Sequence, residues 1–388
     1  MDMIPHLEWP FFEERHRTLV ASLAGWIRER HDFEDAEKLG EEEATRVIDA
    51  ELGKGGWLAH LVPTRYGGVA DKIDVRTLCL IREMLASRSG LADCAFAMQG
   101  LGSAPITLFG TDAQKQHYLP GVAKGTRIAA FALSEPETGS DVAALSCAAR
   151  REGDHYIIDG EKTWISNAGV ANHYIVFLRT GEAPGVKGLS ALVVDADTPG
   201  LTITDRLEIT APHVIGTLRF KGAKVPASAV LGAPGEGFRV AMGTLDIFRP
   251  SVGAAALGFA RRALAEAVER VKSRKAFGQT LAAMQGTQMR IADMAVELDA
   301  AALLVYRAAW ACDCTEGRRT AESSMAKMYA TESAQRIIDS AVQLFGGLGV
   351  TVGQTVERLY REIRPLRIYE GTTEIQKLII ASQVLGKG

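Results

Sequence analysis

Two abrupt changes of hydrophobic period constrain this chain more than any other feature. From Phe11 to about Gly125 apolar residues recur every three or four positions, as in FFEERHRTLVASLAGWIRER and VRTLCLIREMLAS, the spacing of one helix face. Between about Arg127 and Leu231 the runs turn short, β-branched and aromatic: IAAFALSE, HYIIDGEKTWIS, NHYIVFLRT, GLSALVVDA, LTITDRLEI and GTLRFKGAKVP, broken by Gly, Pro, Asn and Asp. After Gly235-Glu236-Gly237 the helical period returns in VGAAALGFARRALAEAVERVKSR, LAAMQGTQMRIADMAVELDAAALLVYRAAWACD, AESSMAKMYATESAQRIIDSAVQLF and TTEIQKLIIASQVL. This order predicts a mainly helical protein: an N-terminal helical domain (1–126), a small antiparallel β domain (127–235) and a C-terminal four-helix bundle (236–388). A chain of 388 residues is too long for one simple core. The alanine-rich, charge-poor turns Ser251–Ala260 and Ala300–Ala311 predict helices with little surface in water, a state that burial against other subunits provides.

Composition removes several classes of function. A net charge of -3 with 23% charged residues leaves no basic excess for nucleic acid and no polybasic run for a membrane surface. No stretch of about 18 apolar residues is present to span a bilayer. Five cysteines (Cys79, Cys94, Cys147, Cys312, Cys314) without a Cys-x-x-Cys pair suit a reducing cytoplasm. The opening MDMIPHLEWPFFEERHR lacks the basic-then-apolar pattern of a targeting peptide. FGGLGVTVG follows a helical segment and lacks the G-x-G-x-x-G spacing, so a Rossmann nicotinamide site is disfavoured, and no Walker loop or Gly-x-Ser-x-Gly elbow occurs. The eight histidines are scattered, so no metal site is expected.

Three separated stretches carry chemistry: LSEPETGSDVA (Leu133 to Ala143), EKTWISNAG (Glu161 to Gly169) and RIYEGTTEIQKLI (Arg367 to Ile379). Taken singly, each has a structural reading. The first is a good turn, because Pro fixes φ and Gly permits positive φ. Trp164 alone would suit a β core. In the third, Thr373 and Gln376 have capping-box spacing, with Glu370 placed to meet the helix dipole.

Together, in this order, the three stretches resemble the acyl-CoA dehydrogenase family, FAD flavoproteins that oxidise acyl-CoA thioesters to α,β-unsaturated products. The resemblance runs from about Phe11 to the C-terminus and implies the same three-domain order. It places the general base at Glu370, which removes the proton next to the thioester carbonyl while the β-hydrogen leaves as hydride to flavin N5. Some members carry the base instead at the position of Phe248, which cannot take a proton. The resemblance assigns flavin contacts to Phe131, Leu133, Ser134, Gly139, Ser140, Trp164 and Ser166, with Trp164 against the ring and Ser166 toward N5. It assigns the adenine and pyrophosphate end to Arg274, Phe277 and Gln285. Gln343, Gly346 and Gly347 would meet the FAD of a neighbouring subunit, and Thr372 and Glu374 would follow the base onto the cofactor. Gly346-Gly347 equally suits a plain helix end. Substrate contacts fall on Ser140, Asp246, Arg249, Tyr369 and Gly371, and on Phe96 and Met98 in the acyl pocket; the structural reading of Arg249 is a helix-surface ion pair. A homotetramer and an electron-transfer flavoprotein as electron acceptor are implied likewise.

Departures from the family pattern bear on the substrate. Glu137-Thr138-Gly139-Ser140 stands where many relatives have Gly-Ala-Gly-Ser, adding an acid at the site mouth. ITAPHVIGTL replaces an Arg-x-Ser-x-Thr arrangement, and its His213 reads as a solvated loop residue. DCAFAMQGLGSAP holds no arginine to pair with a dicarboxylic acyl group, and its Asp93 reads as an exposed loop acid. A short, branched or cyclic acyl group is therefore expected. The competing readings are a flavin oxidase or atypical homologue acting on a CoA thioester, and a non-enzymatic acyl-CoA-binding scaffold.

Overall fold

The computed structural model describes residues 4–29 and 33–386. The end of the first expected helix, at Arg30, lies outside them. The chain divides into two compact units: Met1–Asp32, Val75–Asp93 and Asp246–Gly388 form one, and Phe33–Asp74 and Cys94–Leu245 the other.

The first unit is helical. It holds α1 (Glu14–Arg28), α4 (Val75–Ala86), the first turn of α5 (Gly90–Phe109), most of α7 (Gly237–Ser273), α8 (Gln285–Cys314), α9 (Thr320–Phe345), α10 (Thr355–Leu366) and α11 (Thr373–Val384). A short hairpin, β8 (Lys275–Ala276) and β9 (Gln279–Thr280), links α7 to α8. The alanine-rich turns of α7 are buried as expected, while those of α8 bury their alanines but leave Leu303 and Trp310 exposed: Ala254, Ala255, Ala301, Ala302, Ala308 and Ala309 share one core with Ile337, Leu359 and Ile363. Small side chains allow helices to approach closely. Asp313 on α8 accepts from the first-turn N–H groups of Val75 (2.7 Å) and Arg76 (3.1 Å), capping α4 from a neighbouring helix. Glu83 on α4 accepts from Arg261 Nε (2.9 Å) and Tyr306 Oη (2.5 Å), so a carboxylate sits inside this core fully bonded. The sequence reading missed α10, whose Val356, Leu359, Ile363 and Leu366 bury one face.

The second unit contains α2 (Glu34–Glu37), α3 (Glu41–Lys54), the rest of α5, α6 (Asp112–Ala123) and a seven-stranded sheet. Its strands are β1 (Ala129–Ala132), β2 (Ala148–Glu152), β3 (His155–Ser166), β4 (His173–Arg179), β5 (Leu189–Asp195), β6 (Leu201–Arg206) and β7 (Ile215–Pro226). Strand order is β1-β4-β2-β3-β7-β6, with β5 also on β4. The sheet is mixed where a purely antiparallel one was expected, because β1 runs parallel to β4 in register Ala129↔His173. Alternation of side chains fixes which face is buried but not the direction of a neighbour. The sheet core is formed by Ile158, Ile165, Tyr174, Val176, Leu192, Leu218 and Phe220.

Candidate active site

Between α10 and α11 the chain makes a tight turn at the Glu370 motif. The N–H groups of Ile368 and Tyr369 return to the Pro365 carbonyl at 2.8 and 3.0 Å, and Glu370 and Gly371 then both take positive φ, 54° and 92°. A glutamate in the left-handed region carries strain that its surroundings must impose. Three buried side chains from three helices impose it. Arg249 Nε of α7 donates to the Glu370 carbonyl (3.3 Å), and Gln376 Nε2 of α11 donates to the carbonyls of Glu370 (3.1 Å) and Gly371 (3.0 Å). Lys327 Nζ of α9 donates to the Gly371 carbonyl at 2.7 Å.

The backbone is thus clamped while the carboxylate is left out of the bonding. Glu370 Oε2 is buried and has no hydrogen-bond partner among the described residues. Burial pushes the Glu370 carboxyl above its ordinary range, against the opposing pull of Arg82, Lys327 and Arg249. Burial also draws Lys327 down to about 8. A carboxylate with a raised pKa and a vacant oxygen is equipped to take a proton from a bound molecule.

Around this turn two expectations change. Asp93 is not an exposed loop acid: it lies in the first turn of α5, 3% exposed, and holds Arg82 of α4 through two parallel bonds of 2.8 Å. Arg249 is not a surface ion pair either; it is 3% exposed and turned to the Glu370 carbonyl, with Asp246 at 3.4 Å. Asp246 accepts further from Arg318 Nε (2.7 Å) and Thr320 Oγ1 (3.0 Å). Phe248 is fully buried and Tyr369 packs against the helical core. The capping box read at Thr373 and Gln376 also shifts: Thr372 caps α11 by accepting from Ile375 N, Thr373 donates to Glu332, and Gln376 turns back to the Glu370 turn. Glu374, one residue inside the helix, is exposed.

In the second unit the other two stretches meet. Lys162 Nζ of β3 donates to the Leu133 carbonyl (2.9 Å) and to Glu135 Oε1 (2.8 Å), and the Thr163 N–H donates to the Ser134 carbonyl (3.0 Å). Glu135 accepts also from the N–H groups of Ser146 (2.7 Å) and Cys147 (2.9 Å). Immediately beyond, the β3–β7 register slips between Lys162↔Leu218 and Ile165↔Gly216, a bulge that puts Trp164 at φ 59°. Its side chain consequently leaves the core, and Trp164 is 58% exposed. Phe131, Leu133, Ser134 and Ser166 are half-buried, whereas Gly139, Ser140 and Glu137 are exposed. Ser166 Oγ lies 3.1 Å from His213 Nε2, and His213 Nδ1 lies 3.3 Å from the Ala211 carbonyl. His213 is therefore a bonded partner of β3 and not a solvated loop residue; burial lowers its pKa. Phe96 on α5 is fully buried and Met98 half-buried.

Arg274, Phe277 and Gln285 surround the β8–β9 hairpin of the helical unit. Phe277 and Gly278 both have positive φ, which leaves Phe277 96% exposed at the hairpin tip. Gln343, Gly346 and Gly347 are exposed at the end of α9, where Gly346 (φ 67°) caps the helix. Sequence reasoning missed Arg82, Glu135, Lys162, Lys327 and Gln376 as members of these sites. Glu135, Lys162 and Gln376 stood inside the quoted motifs, but Arg82 and Lys327 carry no local signal of what they reach.

In the second unit, Trp164 held out of the core and the open glycine at 139 offer a surface suited to a flat cofactor. Comparison with known proteins is consistent with this. Family models described as the N-terminal, middle and C-terminal domains of acyl-CoA dehydrogenase match residues 13–126, 130–222 and 235–385. A 3-(aryl)acrylate reductase of Clostridium sporogenes is 37% identical over 97% of this chain and 100% of its own length. The human mitochondrial short-chain specific acyl-CoA dehydrogenase is 40% identical over 86% of this chain and 81% of its own. The crystal structure of an acyl-CoA dehydrogenase from Geobacillus kaustophilus superposes with a TM-score of 0.90 at 34% identity, covering 97% of this chain and 99% of that one. The chain belongs to the acyl-CoA dehydrogenase family, a family of FAD-dependent oxidoreductases.

Proposed function

We propose that this chain dehydrogenates an acyl-CoA thioester with a short, branched or cyclic acyl group at its α,β bond, with Glu370 as the general base. The observation that carries the reading is the Glu370 carboxylate: one oxygen buried without a partner, on a strained turn clamped by Arg249, Lys327 and Gln376. Glu370 takes the α-proton onto its carboxylate, and its backbone N–H helps hold the thioester oxygen as charge develops there. Arg249, Lys327 and Gln376 keep the turn from relaxing, so the carboxylate meets the substrate already oriented. When bound, FAD supplies the acceptor for the β-hydrogen, which departs as hydride. Phe131, Leu133, Ser134, Gly139, Ser140, Trp164 and Ser166 would hold its flavin part. Arg274, Phe277 and Gln285 would hold the adenine and pyrophosphate end, Thr372 and Glu374 would follow the base onto the cofactor, and Gln343, Gly346 and Gly347 would meet the FAD of a neighbouring subunit. Asp246 and Arg249 would hold the pantetheine and nucleotide part of CoA, Ser140, Tyr369 and Gly371 would contact the substrate, and Phe96 and Met98 would line the acyl pocket.

A homotetramer is supported by Met289, Val296, Leu303 and Trp310, which recur every seventh residue along α8 and stay 62%, 69%, 45% and 37% exposed. An electron-transfer flavoprotein is the proposed acceptor. Five cysteines without a Cys-x-x-Cys pair favour the cytoplasm, and no helix among the described residues is long and apolar enough to cross a membrane. The relative named as a 3-(aryl)acrylate reductase favours a second reading, in which the same site handles an α,β double bond in the reductive direction.

The test is Glu370→Gln, which keeps the shape and removes the base. It is expected to retain flavin and bind acyl-CoA while kcat falls by about 10²–10⁴-fold. Unchanged kcat would remove Glu370 from the chemistry.

A further inference from the structure

We infer that the buried Arg82–Asp93 ion pair is a positioning device for the base: its two opposed charges set the electrostatic balance in which Glu370 gains and loses its proton. This rests on the reading of Glu370 as the base.

Arg82 is 1% exposed and Asp93 3%. Arg82 Nε and Nη2 grip the two carboxylate oxygens of Asp93 at 2.8 Å each, and Nη1 donates to Ser251 Oγ at 2.9 Å. The Ser251 hydroxyl in turn donates to the Phe248 carbonyl (2.6 Å). Phe248 and Ser251 flank Arg249, whose guanidinium holds the Glu370 carbonyl, so the ion pair and the clamp hang from one turn of α7. Glu370 Oε2 has no hydrogen-bond partner among the described residues, so no bond of its own offsets the charges buried beside the clamp. Burial apart, Arg82 is the leading charge acting on Glu370, and Asp93 acts in the opposite sense. Among the described residues, the other charged or titratable groups around the turn include Lys327 and Glu332 of α9, Asp246 and Arg249 of α7 with Arg318 on Asp246, Arg367 and Tyr369 before the turn, and Glu374 of α11.

A buried ion pair contributes little net stability, because desolvation of both ions offsets their attraction, and two apolar residues would fill the space as well. Here the pair has a job that apolar residues cannot perform. Arg82 favours ionised Glu370, while Asp93 keeps that attraction from depressing the base below the range where it can take the α-proton.

The opposed charges give opposed predictions. Arg82→Gln removes a cation and shifts the protonation midpoint of Glu370 upward by about one pH unit or more; Asp93→Asn frees the arginine and shifts it downward by a similar amount. Arg82→Gln/Asp93→Asn returns it near the wild-type value. The midpoint is read directly as the infrared carboxyl signal that disappears in Glu370→Gln, and independently as the acid limb of kcat/KM. If Arg82→Gln fails to fold with Asp93 left unpaired, the double variant, which leaves no lone buried ion, still has to lie above Asp93→Asn. Shifts in the same direction for both single variants, or no shift in folded protein, overturn the inference. An inactive Glu370→Gln with unmoved midpoints would do so while leaving the base standing; a fully active Glu370→Gln removes both.

Discussion

Replacing Glu135 by Gln isolates the contact that ties the two flavin-side stretches together. In the native protein Lys162 is 0% and Glu135 3% exposed, and the four donors on the Glu135 carboxylate all lie within 2.9 Å. Glutamine preserves the volume but leaves Lys162 as a buried cation without its counter-ion, and its amide N–H₂ must face a donor. Breaking a buried pair from one side costs about 3–5 kcal/mol. Urea unfolding should therefore show Glu135→Gln and Lys162→Met each losing about that much, and the double variant losing clearly less than their sum. Because Lys162 also bonds the Leu133 carbonyl, each single variant should release flavin on gel filtration. Burial works against ionisation of Glu135, yet Lys162 and the Ser146 donors outweigh it and hold the carboxyl below its usual range. The pair's stabilisation is accordingly present above the unfolded carboxyl value of about 4.3 and is lost as pH falls through the lower folded value. The glutamine variant should lack that acid-side loss. A loss under about 1 kcal/mol with flavin retained would refute the clamp, since breaking a buried ion pair cannot cost so little.

Two further outcomes follow from the geometry. Gly371→Ala puts a side chain at φ 92° with its Cβ 2.5 Å from Gln376 Nε2, so it should cost about 1–3 kcal/mol in denaturation and lower kcat by displacing the clamp; native stability and turnover would contradict this. Val296→Glu with Leu303→Glu charges the exposed stripe of α8 and should reduce the mass found by sedimentation to that of a smaller assembly; an unchanged mass would show that the stripe is not an interface.

The strands were legible because their alternation is local: HYIIDGEKTWIS is β3 from His155 to Ser166, residue for residue. β2 was not, since its Ala148–Glu152 buries only Ala149 and shows no apolar run. Glu370 could be picked out because its motif is contiguous. Arg82 and Lys327 look like ordinary helix residues; what gives them a role is the turn of chain that folding brings against them. Trp164 illustrates the middle case. Its residue type alone suited a β core and the family resemblance placed it against a flavin ring, but only the extra residue in the β3–β7 register explains why it faces away from the core.

The reductive half-reaction tests the role of Glu370 most directly. The purified protein would be titrated anaerobically with short, branched, cyclic, aryl and medium-chain acyl-CoAs while the absorbance band of oxidised flavin is followed. Stoichiometric bleaching by a short, branched or cyclic thioester, absent in Glu370→Gln, is the predicted result. A bound flavin that no thioester in the panel bleaches would contradict it.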